Sequence, residues 1–428
     1  KKSVLFPPRK SIMDPGRQTV AGFLKERGYR TSVVGKWHLG LNWHMLDQPA
    51  KAAEGPTRGT CWNIDFSRPP QQGPLKLGFT DDFLFPASLD MAPYLYLRND
   101  VATGIPTVSK GWNRQGPATA DFEATTCLVD FARESRAFIR SAAESKTPFF
   151  LYLPLTSPHT PIVPSEKWRG KSPLGPYGDF VMETDWVVGE VMKELAERQV
   201  AENTLLLFTT DNGCSPAAGI PKLIEKGHHP NANWRGHKAD IYEGGHRVPF
   251  LVRWPERVQA NSSCDLTVCT TDFFATVAEI LGVHGRKFPP NTAEDSFSFV
   301  GALDQPERRT PIRPYTIHHS INGSFAIRKG PWKLCLCPGS GGWSSPRPAQ
   351  ALKNKTLAAI QLFHLGADPS ERNNLQAEHP HIVRDLVDDL YHAIKLGRSN
   401  SGLPSTNEGW PNTFPSRVLE LFPQLAGG

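Results

Sequence analysis

Twice in this chain an amphipathic helix leads directly into a short apolar stretch that breaks off at polar residues, and this repetition constrains the fold more than any other feature. The first pair places Leu128, Phe131, Ser135, Phe138 and Ile139 on one helical face and follows them with "PFFLYLPL". The second is "GDFVMETDWVVGEVMKELAER", with Val181, Trp186, Val188, Val191 and Leu195 expected to face inward, followed by "NTLLLFTTDNG". Apolar runs of this length read as buried parallel strands. Their alternation with helices predicts an α/β fold with a doubly wound sheet and helices on both faces. Thr19, Val20, Phe23 and Leu24 before Gly28 add a helix, "YRTSVVG" and "VPFLVRWP" add strands, and "TTDFFATVAEILG" adds a helix ending at Gly282. From Leu39 to Pro117 the text is rich in Gly, Pro, Trp and Asn and reads as a long irregular excursion that walls a site.

The pattern changes after about Gly301. "SFAIRKGPWKLCLC" alternates on either side of Lys329, Gly330 and Pro331, a hairpin signal, and "IQLFHL" reads as a third strand. Ile382, Val383, Leu386, Val387, Leu390 and Ile394 then trace one helical face. The expected organisation is a large α/β domain over residues 1–300, a small α+β subdomain with an antiparallel sheet and a helix over 301–400, and an irregular tail over 401–428.

A net charge of +6, spread without blocks of like sign, argues against a nucleic-acid partner and suits an anionic substrate. No run of about 18 apolar residues occurs, so no membrane span is expected, and no signal peptide is visible. Cys61, Cys127, Cys214, Cys264, Cys269, Cys335 and Cys337 are scattered without C-x-x-C spacing, so neither a zinc site nor a dense disulfide framework is indicated.

Open α/β sheets put their chemistry at the carboxyl ends of parallel strands. Three such ends carry polar groups here: Lys36, Trp37 and His38 in "GYRTSVVGKWHLG"; His159 between Pro158 and Pro161; and Asp211 with Asn212 in "FTTDNG". Asp and Asn together offer only oxygen, which suits a hard cation such as calcium or magnesium. Each feature alone has an ordinary explanation, since Asp-Asn-Gly is a common turn and single lysines or histidines are often surface or packed residues. Together they describe a site for a tetrahedral oxyanion beside a metal. A fourth segment, "NWRGHKADIYEGGHRVP", crowds Arg235, His237, Lys238, His246 and Arg247 around Tyr242 and Glu243, and Lys238 stands out from what is otherwise a charged loop with a Gly turn.

These residues resemble the type I sulfatases, the arylsulfatase family of the alkaline phosphatase superfamily. "GYRTSVVGKWHLG" is similar to the second sulfatase signature, and "PHTP", "FTTDNG" and "KADIYEGGHRVP" follow in the family's order. The likeness extends through "HHSINGSFAIRKGPWKL" and "LFHLGADPSERNNL", while "LGFTDDFLFPASLDMAPYLYLRND" and "CPGSGGW" are most like bacterial carbohydrate and aryl sulfatases. The resemblance implies an alkaline phosphatase-like mixed sheet and hydrolysis of a carbohydrate or aryl sulfate ester, assisted by one calcium ion. By motif, Lys36 and His38 hold the formylglycine hydrate and a sulfate oxygen. His159 and Lys238 bind sulfate, one of them protonating the leaving oxygen, and Asp211 and Asn212 are two calcium ligands. His228, His229, Arg235, His237, His318 and His319 are candidates for contacting the sugar. By the same analogy the location is periplasmic or secreted.

The family's nucleophile is a formylglycine made from the Cys of C-x-P-S-R. No C-x-P-S-R, C-x-A-x-R or serine equivalent occurs in the 428 residues, nor does the family's early Asp-Asp pair. Cys214 in "CSPAAG" lacks the required Arg. The nucleophile is therefore expected upstream of Lys1, and the chain by itself is expected to show no turnover. Two alternatives remain at this point: a pseudoenzyme that binds sulfated glycans, and a phosphate or phosphonate ester hydrolase of the same superfamily, against which "GKWHLG" and Lys238 argue.

Overall fold

The computed structural model describes residues 5–48, 61–283, 288–289, 291–406 and 414–426. They form two compact units, Val4–Asn203 and Thr204–Gly428.

In the first unit α1 (Val20–Lys25) starts at Thr19, whose hydroxyl oxygen accepts the Gly22 N–H at 2.9 Å, and gives way at Gly28, φ +82°, to β1 (Arg30–Lys36). There follow β2 (Asp81–Phe85), β3 (Leu97–Arg98), β4 (Val101–Ala102), β5 (Val108–Lys110), β6 (Gly116–Ala118), α2 (Cys127–Glu144), β7 (Phe149–Tyr152) and α3 (Pro176–Glu197). The central sheet runs β4-β3-β2-β1-β7. β2, β1 and β7 are parallel, whereas β3 and β4 are antiparallel additions, so the sheet is mixed. On one face Val34, Phe83 and Phe85 pack with Phe131 of α2 and Val187 of α3; on the other Val33 and Leu84 pack with Ala21 of α1. Helices thus cover both faces, as the α/β reading expects.

Three local expectations change. The stretch from Leu39 to Pro117 is not wholly irregular, because β2 lies within it beside β1. Its signal is hidden by length: after two aspartates only Phe83, Leu84 and Phe85 remain, and all three are buried without alternation. β7 is only half-buried, with Tyr152 exposed, because it is the last strand of this ladder. The inward face of α3 carries Phe180, Glu183, Val187, Val191, Glu194 and Leu195, leaving Val181 39% exposed. Acidic residues occupy that face because each carboxylate has donors. Glu183 accepts the Ser165 N–H at 2.9 Å, and Glu194 accepts from Arg136 and Arg140. Hydrophobicity alone gives no sign of such inward-facing carboxylates.

The second unit contains β8 (Leu206–Thr209), α4 (Ile220–Glu225), α5 (Glu243–His246), β9 (Phe250–Arg253), α6 (Phe273–Ile280), α7 (Val300–Asp304), β10 (Thr316–His319), β11 (Phe325–Lys329), β12 (Trp332–Cys335), α8 (Pro348–Lys353), β13 (Gln361–His364), α9 (Pro380–Leu396) and α10 (Ser416–Leu421). β8 pairs with β9, and antiparallel, rather than reading out as a parallel strand. β10-β11-β12-β13 form the expected antiparallel sheet, with β10 an additional strand. Val383, Leu386, Val387 and Leu390 of α9 pack on Ile327, Leu334 and Leu362, and Val418 and Leu425 join the same core. The segment expected to be an irregular tail therefore contributes a helix.

A buried carboxylate pair in the first unit is sensitive to pH. Asp82 Oδ2 accepts the Asp100 N–H at 3.0 Å, and Oδ1 of each residue has no partner among the described groups. Burial, then the charge of Asp100, pushes Asp82 from 3.8 up to about 7. A folded-state pKa above the unfolded one means the folded state binds the proton more tightly, so stability is lost as pH rises from 3.8 to about 7. Asp82→Asn should therefore gain about 2 kcal/mol more stability over the parent at pH 8 than at pH 5. Thermal melting at the two pH values checks this; equal shifts at both would contradict it.

Candidate active site

In the first unit the parallel strands are joined at their carboxyl ends. The Lys36 N–H donates to the Pro154 carbonyl just past β7 at 2.6 Å, and the Trp37 N–H donates to Phe85 at the end of β2 at 2.9 Å. Gly35 makes the approach possible. Its φ is +134°, and a Cβ there would collide with the Pro154 carbonyl oxygen. Trp37 turns into the core against Phe79, so Lys36 and His38 are the polar groups delivered at this strand end. His38, φ +48°, donates from Nε2 to the Leu5 carbonyl at 2.8 Å.

His159 lies in the loop after β7 and donates from Nδ1 to the Thr160 carbonyl at 2.6 Å, which fixes the ring and its tautomer. α3 braces this loop through Thr184, 2.6 Å from the Ser157 hydroxyl, and through Glu183. Asp90, which the sequence reading did not single out, faces the same neighbourhood. Burial raises its pKa, but Ser88, Arg114 at 2.6 Å and His159 outweigh burial and hold it low.

In the second unit Asp211 and Asn212 form the turn after β8. Gly213 fits only because it lacks a Cβ, which would collide with the Gly244 carbonyl oxygen. Its N–H donates to Gly245 at 3.1 Å, and the Cys214 carbonyl accepts the Lys238 N–H at 3.0 Å. The Asp211–Asn212 turn, the Lys238 loop and the glycines of α5 are thereby locked together. Among the described residues neither the Asp211 carboxylate nor the Asn212 carboxamide has a partner, and no three or more His, Cys, Asp or Glu side chains are grouped so that they could hold a metal ion. Two adjacent, uncommitted oxygen donors fit part of the shell of a hard cation, which takes about six to eight oxygens when it is calcium.

Asp240, two residues past Lys238, is completely buried. Its carboxylate accepts the His237 N–H at 3.0 Å, the Trp343 N–H at 2.8 Å, the Ser344 N–H at 3.0 Å and the Ser344 hydroxyl. The His237 ring is held between the Lys238 carbonyl, 3.0 Å from Nδ1, and Ser344 Oγ, 3.1 Å from Nε2. Beneath lies a buried ion cluster in which Lys333 Nζ is 2.9 Å from both Glu243 and Glu371. Burial would lower the Lys333 pKa, but the two carboxylates outweigh it and hold it above the usual lysine value.

The other sugar-contact candidates are dispersed within this unit. Arg235 stacks over Tyr242 at 3.9 Å and donates to the Glu371 carbonyl at 2.6 Å. His318 donates from Nε2 to the Ile241 carbonyl at 3.1 Å and packs 4.1 Å from the His246 ring; burial, then His246, pushes its pKa well down. His319 packs on Phe325, and His228 and His229 follow α4.

A family model described as Sulfatase matches residues 9–283. The chain belongs to the sulfatase family. It is a type I sulfatase of the alkaline phosphatase superfamily. It is 32% identical to an N-acetylgalactosamine-6-O-sulfatase of Bacteroides thetaiotaomicron, over 90% of this chain and 78% of that protein. It is 29% identical to the N-acetylgalactosamine-6-sulfatase of Rattus norvegicus, over 82% of this chain but only 62% of the relative's length. A solved structure from work on the metabolism of multiple glycosaminoglycans by Bacteroides thetaiotaomicron superposes with a TM-score of 0.75 at 28% identity, covering 91% of this chain and 85% of that one.

The strand-end junction of this sulfatase can be tested with two glycines. Gly35→Ala meets both a left-handed backbone and the Pro154 carbonyl, whereas Gly16→Ala, φ +80°, meets nothing within 4 Å. Denaturant unfolding should show a loss of about 3 kcal/mol or more for Gly35→Ala and about 1 kcal/mol for Gly16→Ala. Equal losses would mean that the junction is not the tight element described.

Proposed function

We propose that this sulfatase hydrolyses the sulfate ester of a carbohydrate, with a 6-O-sulfated N-acetylgalactosamine as the first substrate to test. The reading is supported above all by the locking of the Lys238 loop onto the Asp211–Asn212 turn, in a chain that matches the sulfatase model through residue 283. The names of the relatives at 32% and 29% identity support the choice of sugar.

In this reading Lys238 and His159 bind sulfate oxygens, and one of them returns a proton to the departing oxygen. Negative charge gathers on that bridging oxygen as the S–O bond breaks, so a fixed ammonium or imidazolium stabilises the transition state more than the ground state. Lys36 and His38 orient the nucleophile, a formylglycine outside these 428 residues, and steady a further sulfate oxygen. Asp211 and Asn212 are two ligands of a calcium ion, which when bound supplies a positive centre for the sulfate and the nucleophile. A periplasmic or secreted location belongs to the same proposal; among the described residues no helix is long and apolar enough to cross a membrane.

The test pairs calcium binding with turnover. Calorimetry of protein produced from the complete reading frame should show calcium binding weakened about tenfold or more in Asp211→Ala. Protein produced from the complete reading frame should release sulfate from N-acetylgalactosamine 6-sulfate, and Lys238→Ala should lower kcat/KM by about a hundredfold or more. Unchanged calcium affinity rejects the metal assignment, and unchanged turnover rejects the role given to Lys238.

A further inference from the structure

The loop "PGSGGWSSP" is held down more firmly than a surface loop requires. Gly342 lies so close to the 239–240 backbone that a Cβ would collide with the Ala239 carbonyl, and one on Gly341, φ +62°, would collide with Ser320. Ser340 Oγ accepts the Gly342 N–H at 3.1 Å and donates to the Ser344 carbonyl at 2.7 Å, closing the loop on itself. Gln361 Nε2 holds the Cys337 and Gly339 carbonyls from below at 2.8 and 3.0 Å. The buried Asp240 carboxylate takes both the Trp343 and Ser344 N–H groups. The main chain of this loop is thus fixed from several sides. Here it presents Trp343, 40% exposed, whose indole N–H donates to no described group.

The surroundings of Trp343 have a consistent chemistry. Ile321, 37% exposed, is tied to the Ala239 carbonyl by its N–H at 2.9 Å. Asn322 spends its carboxamide oxygen on the Ser320 hydroxyl and the Ser324 N–H, which leaves its NH₂ as a donor at the surface. His237 touches Ser344, the next residue after Trp343, and its other nitrogen contacts the Lys238 carbonyl. An aromatic side chain, an aliphatic one and an amide donor are therefore borne by two segments whose backbones are tied to residues 239–240 and to each other. Indole combines a large apolar face with a single polar edge, and held rigid it binds at low entropic cost. A pyranose ring matches this set: its C–H face packs on indole while a hydroxyl or the acetamido oxygen accepts from the Asn322 amide.

We propose that Trp343 is a sugar-stacking, specificity-determining residue for the ester whose sulfate Lys238 binds, with Asn322 as its polar partner. The proposal rests on the sulfatase reading of Lys238 but concerns the part of the substrate that is not sulfate. Because the loop is anchored by backbone N–H groups that alanine retains, Trp343→Ala should keep the fold.

The experiment is calorimetric titration of the 428-residue chain and its Trp343→Ala and Trp343→Phe variants with N-acetylgalactosamine 6-sulfate, unsulfated N-acetylgalactosamine and inorganic sulfate. Affinity for the sulfated sugar should fall about tenfold in Trp343→Ala and about two- to threefold in Trp343→Phe, with inorganic sulfate unaffected. An unchanged affinity for the sulfated sugar, an equal loss for inorganic sulfate, or no binding of either sugar by the parent chain would overturn the proposal. Trp343-dependent binding of the unsulfated sugar, with no binding of sulfate, would instead sustain the subsite and remove the sulfatase reading of Lys238.

Discussion

The carboxylate of Asp240 has no access to solvent, and burying it would cost several kcal/mol were it unpaired. Four donors offset that cost: three backbone N–H groups and the Ser344 hydroxyl. Hydrogen bonds to an ionised acceptor are among the stronger ones in proteins, and here they join two segments distant in sequence. The main chain of His237, Trp343 and Ser344 is positioned by this single group. Removing the charge would leave the donors unsatisfied as well as loosen the loop, so this position should tolerate little change.

The cluster of Lys333, Glu243 and Glu371 underlies the same region with a different logic. Buried ion pairs seldom add net stability over an apolar replacement, because desolvation consumes much of the attraction. They are specific, however. Lys333 accepts one arrangement of Glu243 and Glu371, and the Glu243 N–H donates to Glu371 at 2.6 Å, so the start of α5 has one seat. The glycines of α5 in turn receive Gly213. In the first unit the corresponding constraint is steric, since β1 and the end of β7 can approach only across Gly35.

Much of the architecture was legible because it is local. The α2 face, the β11–β12 hairpin around Gly330 and the α9 stripe follow from periodicity, and each appears where the spacing puts it. β2 and β10 were not legible: one has three apolar residues after two aspartates, and the other ends in two histidines. The rotation of α3 has the same root, as buried Glu183 and Glu194 look like solvent residues until Ser165 and the arginines of α2 are in place. The strand ends bearing Lys36, His159 and Asp211 could be found from the apolar runs that precede them. Asp240 could not, because its partner Trp343 lies 103 residues away and no local pattern links an aspartate in one loop to amides in another.

The roles proposed for Lys36, His38, His159 and Lys238 imply a preference for a singly charged tetrahedral ester. The most direct measurement compares kcat/KM on matched 4-nitrophenyl sulfate and 4-nitrophenyl phosphate, using protein produced from the complete reading frame. The account predicts preference for the sulfate by about a hundredfold or more, a difference of roughly 2.7 kcal/mol in transition-state binding. Equal rates, or faster hydrolysis of the phosphate, would contradict it.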